Sequence, residues 1–281
     1  MKAVILTNDA PNQAALCRKL AEHCRLNAVV LSRNVPMKSP PPGKRLSILL
    51  NRIEGRIVGR PFIRAWLDLQ DRYAREYGGF PQVPTVRVRN INDPETLAAL
   101  TGHEPDLVIV SGTNLVGKRI IESAAQRLGI INMHTGISPY VKGGPNCTNW
   151  CLARRWFYLI GSTVMWLDSG IDSGAIVATE QTPLDGSESL AELHWKVMEH
   201  AQDLYVRVVQ ALAAGESVPR IAQPSVCEGH TFYTQEWTGT AMRTAWKNFR
   251  SFYRPGYFQS REFAEANERI KLFPFAAHAR R

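Results

Sequence analysis

Asn132 and His134 stand two residues apart at the end of the apolar run "IINMH", and Asp172 follows in "LDSGIDSGAIV" after a second apolar run. On an extended chain, side chains two apart point to the same face, so the amide and the imidazole share one side of a strand end. Such an amide and imidazole could stabilise charge developing on a carbonyl oxygen, and a carboxylate near the imidazole could orient it and help move a proton. Gly174, two residues past Asp172, allows the sharp turn that would bring the carboxylate to the same edge. The competing reading is a satisfied structural pair, and a lone His leaves the two readings balanced. Asp172 tips the balance toward catalysis, whereas Asp168 reads as a turn cap. With no Ser or Cys nucleophile evident beside the site, the chemistry suggested is direct acyl transfer to an external amine or to water.

Those residues need a sheet to carry them. The first half of the chain alternates short β-branched runs ("AVILT", "NAVVLS", "PTVRV", "LVIV", "IINMH") with helical segments ("NQAALCRKLAEH", "DPETLAALTG", "KRIIESAAQRLG"). Near-continuous apolar strands, each followed by an amphipathic helix, predict an α/β fold of Rossmann-like type, a mostly parallel sheet with helices on both faces. Ligands in such sheets bind outside the carboxyl ends of the strands, where Asn132 and His134 fall. An insertion over about 34–81 reads as two helices, roughly Leu46–Gly59 and Phe62–Tyr77. "STVMWLD" and "AIVATEQTPL" read as two further strands, and "ESLAELHWKVMEHAQDLYVRVVQALAAG" as a long helix ended by Gly215. Residues 1–215 are therefore expected to form the catalytic domain. Residues 216–281 are expected to form a small C-terminal α+β extension, with a hairpin at "CEGHTFYTQ" and a helix at "TAMRTAWKNFRSFY".

The chain has 281 residues, 44% of them hydrophobic, and a formal net charge of +9. No window approaches the ~18 consecutive apolar residues of a membrane helix. The N-terminal apolar run gives way to "TND" and reads as a first strand, not a signal peptide. Five cysteines, Cys17, Cys24, Cys147, Cys151 and Cys227, include no metal-type C-x-x-C pair, so reduced thiols, no metal and a cytoplasmic location are expected. The glycosylation-type match at Asn146 to Thr148 is discounted on that ground. The positive charge suits an anionic partner. Much of it lies in Lys38, Lys44, Arg45, Arg52, Arg56, Arg60 and Arg64, which reads equally as a solvated helix face or as a contact for an acceptor's phosphates. No nucleic-acid motif accompanies it. His103, His194 and His200 read as surface or interface residues, and Trp150 and Trp156 as packing.

Asn132-Met133-His134, "SPYVKGG" and "GIDSGAIV", in this order and spacing, resemble the N-x-H, S-L-L-P and D-x-G motifs of the formyltransferases that use 10-formyltetrahydrofolate. The resemblance extends over about Pro105 to Gly215. It implies that Asn132, His134 and Asp172 are the catalytic set, that 10-formyltetrahydrofolate is the formyl donor, and that an acceptor amine attacks the formyl carbon. It also implies that backbone groups around Asn114, Leu115 and Val116, and around Ser169, Gly170 and Ile171, hold the pteridine. Gly144 and Asn146 are the residues assigned to the acceptor. The family's S-L-L-P is "GISP" here, Gly136 to Pro139, which leaves the acceptor open.

Among acceptors, "LTNDAPNQAAL" lacks the Gly-rich phosphate loop of the purine-synthesis enzymes, and the segment after Gly215 is shorter than the barrel of the methionyl-tRNA enzymes. The hydrolases of 10-formyltetrahydrofolate carry a regulatory domain before a core that here begins at Ala3. The resemblance therefore points to enzymes that formylate a nucleotide-linked amino sugar, with a homodimer through the C-terminal region as the implied partner. A hydrolase, a methionyl-tRNA or other small-amine formyltransferase, and a catalytically silent folate- or nucleotide-binding relative are the alternatives.

Overall fold

The computed structural model describes residues 1–36 and 54–276. The main sheet has seven strands in the order β3-β2-β1-β4-β5-β7-β8. They are β1 (Lys2–Asn8), β2 (Arg25–Ser32), β3 (Thr85–Val88), β4 (Leu107–Val110), β5 (Gly129–His134), β7 (Gly161–Trp166) and β8 (Ile176–Gln181). The first five run parallel, and β7 is antiparallel to both of its neighbours. The Rossmann-like architecture expected from the alternating runs is the one observed.

Side-chain alternation sorts the core into two layers. In β1 and β4, Ala3, Ile5, Leu107 and Ile109 meet helices α1 (Pro11–Ala21), α2 (Arg60–Tyr77) and α6 (Leu190–Ala213). Val4, Leu6, Val108 and Val110 meet α3 (Pro94–His103) and α4 (Lys118–Ala125) on the other face. Strands buried on both faces have no polar positions to spare until they leave the sheet. In β5, Ile131 and Met133 join the first layer and Ile130 the second. Asn132 and His134 continue the face of Ile130 beyond the helices that cover it.

α1 starts at Pro11, where the missing N–H is no loss. α6 starts on a capping box in which Ser189 and Glu192 satisfy each other's backbone N–H groups. His194 corrects the sequence reading. It lies on the apolar stripe with Leu190, Leu193, Val197 and Met198 and is buried, because a helical position at that spacing faces the core whatever its side chain. His200 meets the Glu180 carboxylate at 3.2 Å, and His103 sits half-buried at the end of α3.

The second helix expected in the insertion is α2. Most of the first, roughly Leu46–Gly59, lies outside the described residues, as do Lys38, Lys44, Arg45 and Arg52. Arg56, Arg60 and Arg64 are exposed.

The C-terminal extension contains no hairpin at "CEGHTFYTQ". Instead β9 (His230–Phe232) pairs in parallel with β6 (Val141–Gly143), 89 residues earlier in the chain. The pairing is possible because Gly229, at φ +71°, packs against the Pro139 carbonyl, where a side chain could not fit. A third apolar cluster joins β6 and β9 to α5 (Cys147–Arg154), α7 (Gly239–Phe252), and the short α8 (Pro255–Phe258) and α9 (Arg261–Glu268). Trp150 and Trp156 belong to it, as packing residues: the Trp150 ring stacks on Phe232 at 4.3 Å.

Candidate active site

The site begins where β4 and β5 part. Asn132 is the last residue of β5 paired with β4, opposite Val110. The buried Tyr205 hydroxyl sits at that junction, accepting from the Val110 N–H at 3.2 Å and donating to the Ile131 carbonyl at 2.8 Å. This fixes the strand end from behind, and nothing in the local sequence around Asn132 signals it. β5 continues against β7, with His134 opposite Thr163.

A cavity of about 270 Å³ opens at this edge, and Asn132, His134 and Asp172 all line it. Asp172 has φ +47°, a left-handed conformation that costs a non-glycine residue of order 1–3 kcal/mol and persists only when its surroundings enforce it. The buried Gln223 of the C-terminal extension does so, donating its amide to the carbonyls of Asp172 and Gly174 at 2.7 and 2.9 Å. The carboxylate Oδ2 lies 3.3 Å from His134 Nδ1 and accepts the Gly143 N–H at 3.0 Å. Both contacts fall on Oδ2. The imidazole and carboxylate side chains are only 11% and 18% exposed, which strengthens their pairing.

The other nitrogen of His134 is also engaged. Nε2 lies 3.2 Å from the Sγ of Cys147, the first residue of α5, whose thiol also reaches the Gly143 carbonyl at 3.4 Å. Burial pushes this thiol well above its ordinary range, so it is a neutral S–H. The sequence reading found no cysteine beside the site because Cys147 is thirteen residues from His134 and its spacing to Cys151 reads as an ordinary helix face.

The residues assigned to the donor divide. Asn114, Leu115, Val116 and Gly170 line the cavity with Asp168, whereas Ser169 and Ile171 are not among its lining. Asp168 also acts as the turn cap expected of it, its Oδ1 accepting from the Gly170 N–H at 3.0 Å and the Ser173 hydroxyl at 2.7 Å. Leu115 is 62% exposed, so it is not a packing residue, while Val116 is buried in the second core layer.

The loop from Gly112 to Gly117 is tied down by asparagines from three different strand ends. Asn8 and Asn34 donate to the Gly112 carbonyl at 2.7 and 2.9 Å, Asn90 donates to Asn114 Oδ1 at 3.3 Å, and Asn92 donates to the Leu115 carbonyl at 2.9 Å. A side-chain amide offers both donors and acceptors, which suits it to satisfying loop backbone. These asparagines were missed in the sequence because each looks like an isolated turn residue.

Neither acceptor assignment lines the cavity directly. Asn146 caps α5 by accepting the Asn149 N–H at 3.0 Å, and Gly144 presents its carbonyl to the Trp150 indole N–H at 3.0 Å. Pro145, between them, is part of the wall. Among the described residues no group of three or more His, Cys, Asp or Glu is placed to hold a metal ion, and no helix is long and apolar enough to cross a membrane.

Residues 71–209 match the family model described as formyl transferase. Among curated proteins, the methionyl-tRNA formyltransferase of Syntrophus aciditrophicus is 32% identical over 143 residues, covering 50% of this chain and 44% of that protein. The methionyl-tRNA formyltransferase of Citrifermentans bemidjiense is 29% identical over 145 residues, 51% of this chain and 43% of that one. The chain thus spans less than half the length of these curated relatives. Among solved structures, a 4-N formyltransferase from Francisella tularensis superposes with a TM-score of 0.53 at 15% identity, covering 84% of this chain and 77% of that one. Phosphoribosylglycinamide formyltransferase from Anaplasma phagocytophilum gives a TM-score of 0.52 at 16% identity, over 83% and 98% of the two chains. At such identities the likeness is one of fold.

Proposed function

From the match of residues 71–209 to the formyl transferase family model, we propose that the chain transfers a formyl group from 10-formyltetrahydrofolate to a primary amine. The observation that carries this reading is the meeting of Asn132, His134 and Asp172 on one cavity wall, with the His134–Asp172 pair at 3.3 Å.

The residues present fit the donor. Asn114, Leu115 and Val116 of the asparagine-tied loop and Asp168, Gly170, Ser173 and Gly174 of the turn line the cavity, and exposed Leu115 offers a flat ring an apolar contact. When bound, the donor supplies an activated formyl carbon. The Asn132 amide donates to the formyl oxygen as charge builds there, an interaction stronger in the transition state than before it. Asp172 takes up the proton that the attacking amine must lose, directly or through one water, and returns it to the folate nitrogen as that nitrogen's bond to the formyl carbon breaks, while His134 balances the carboxylate through Oδ2. Holding amine and formyl carbon together in a narrow cavity supplies the remaining advantage.

The finer reading is that the amine belongs to a nucleotide-linked amino sugar. It is supported by the motif resemblance and by the C-terminal extension, whose β9 and Gln223 brace the loops of the candidate site. A second reading, methionyl-tRNA as acceptor, is favoured by the curated relatives. The two are separated by incubating the protein with formyl-labelled 10-formyltetrahydrofolate and, in turn, a panel of nucleotide-linked amino sugars and methionyl-tRNA. Label on a sugar amine supports the first; label only on the aminoacyl-tRNA replaces it with the second.

A further inference from the structure

His134 is held on both sides, and its second partner belongs to no motif. Cys147 Sγ lies 3.2 Å from Nε2, Asp172 Oδ2 lies 3.3 Å from Nδ1, and Gly143 closes the circuit, its N–H on Asp172 Oδ2 at 3.0 Å and its carbonyl 3.4 Å from the thiol. The contact needs room, and Gly136 provides it. A Cβ at Gly136 would stand 2.7 Å from His134 Nε2, 2.9 Å from the Cys147 Cβ and 2.7 Å from the Val141 carbonyl oxygen. Gly136 is also the position where the family pattern S-L-L-P carries its Ser. The absent side chain and the cysteine are therefore parts of one arrangement.

We propose that Cys147 is a positioning residue for His134, its thiol donating to Nε2 so that the imidazole is fixed as the tautomer whose Nδ1–H faces Asp172. This rests on the formyl-transfer reading only for its effect on rate. A neutral imidazole has one N–H and one bare nitrogen, and the partner of each nitrogen decides which is which. Asp172 accepts, so it requires the proton on Nδ1; an S–H donor on Nε2 requires the same. When the ring carries two protons, the thiol hydrogen turns to the Gly143 carbonyl and sulfur accepts from Nε2–H, so neither protonation state leaves a buried group unpaired.

Cys147 is not itself the attacking group. It is 1% exposed and does not line the cavity, so its sulfur cannot reach a bound formyl carbon.

The test compares the parent protein with Cys147→Ala and Cys147→Ser. Nitrogen chemical shifts of the His134 ring report the tautomer directly and need no turnover. The parent is expected to hold one tautomer with the proton on Nδ1, Cys147→Ala to show both, and Cys147→Ser to restore the single form. In formyl-transfer assays the alanine variant should lose about tenfold in kcat, the effect of one lost hydrogen bond at a buried group, with the donor KM changed less than about twofold. The serine variant should recover most of it. An unchanged tautomer in Cys147→Ala, or a formyl thioester detected on Cys147 by mass spectrometry, overturns the proposal. Altered tautomers in a protein whose parent form transfers no formyl group would sink the functional reading and leave the role of Cys147 standing.

Discussion

The backbone N–H of Gly143 donates to Asp172 Oδ2 at 3.0 Å from a strand whose other edge is paired to Phe232 of the C-terminal extension. The extension thereby reaches the Asp172 carboxylate through Gly143, as it reaches the Asp172 backbone through Gln223. Gly143 has φ +94°, and a Cβ there would run into the Phe232 carbonyl. Gly143→Ala is expected to lower stability by about 1–3 kcal/mol through strain and a shifted β6–β9 pair. Formyl transfer should fall with it, because Asp172 loses a fixed donor. Thermal unfolding and turnover of the variant check this; parent-like values in both would mean that the extension does not brace the carboxylate.

Asp172→Asn separates charge from shape. Asn tolerates the left-handed backbone that this position demands, so the fold should be kept. Turnover should fall by about 10²–10⁴, the range for a lost acid–base group. Circular dichroism alongside initial rates decides the matter, and a folded variant with near-parent turnover would remove Asp172 from the chemistry.

Tyr205→Phe tests the support behind Asn132. It removes one hydroxyl from a fully buried position and leaves the Val110 N–H and Ile131 carbonyl without that partner. A loss of about 1–3 kcal/mol is expected in denaturant unfolding. Since β5 carries Asn132 and His134, to which the proposed reaction assigns the chemistry, kcat should drop more than KM rises.

His194 gives the protein an acid-sensitive core. Burial lowers it to about 4, so the folded state keeps it neutral where the unfolded chain, at its ordinary 6.5, takes up a proton. Its contribution is complete above pH ~6.5 and is lost as pH falls toward 4, by at most about 3 kcal/mol. In urea titrations at pH 7 and pH 4.5, His194→Leu should lose less stability between the two than the parent. Equal losses would place the acid sensitivity elsewhere.

The sheet is legible because strands buried on both faces write themselves as apolar runs, and the strand-end rule puts Asn132 and His134 at the edge where the cavity opens. Asp172 was legible from the Gly-bearing turn around it. What the sequence hid was long-range pairing. β9 looked like half of a hairpin because "HTF" is too short to name its partner, and His194 looked like a surface residue because a single polar letter masks an apolar stripe. Cys147, Tyr205 and Gln223 act on the site from 13, 74 and 51 residues away in sequence, and no local pattern announces such contacts.

The most direct measurement is release of tetrahydrofolate from 10-formyltetrahydrofolate by the purified protein, with and without acceptor amine, in parallel with a folded His134→Ala variant. Release that requires an amine and disappears in His134→Ala is the expected result. Release that needs no amine, or that persists undiminished without the imidazole, would contradict formyl transfer to an amine at this site.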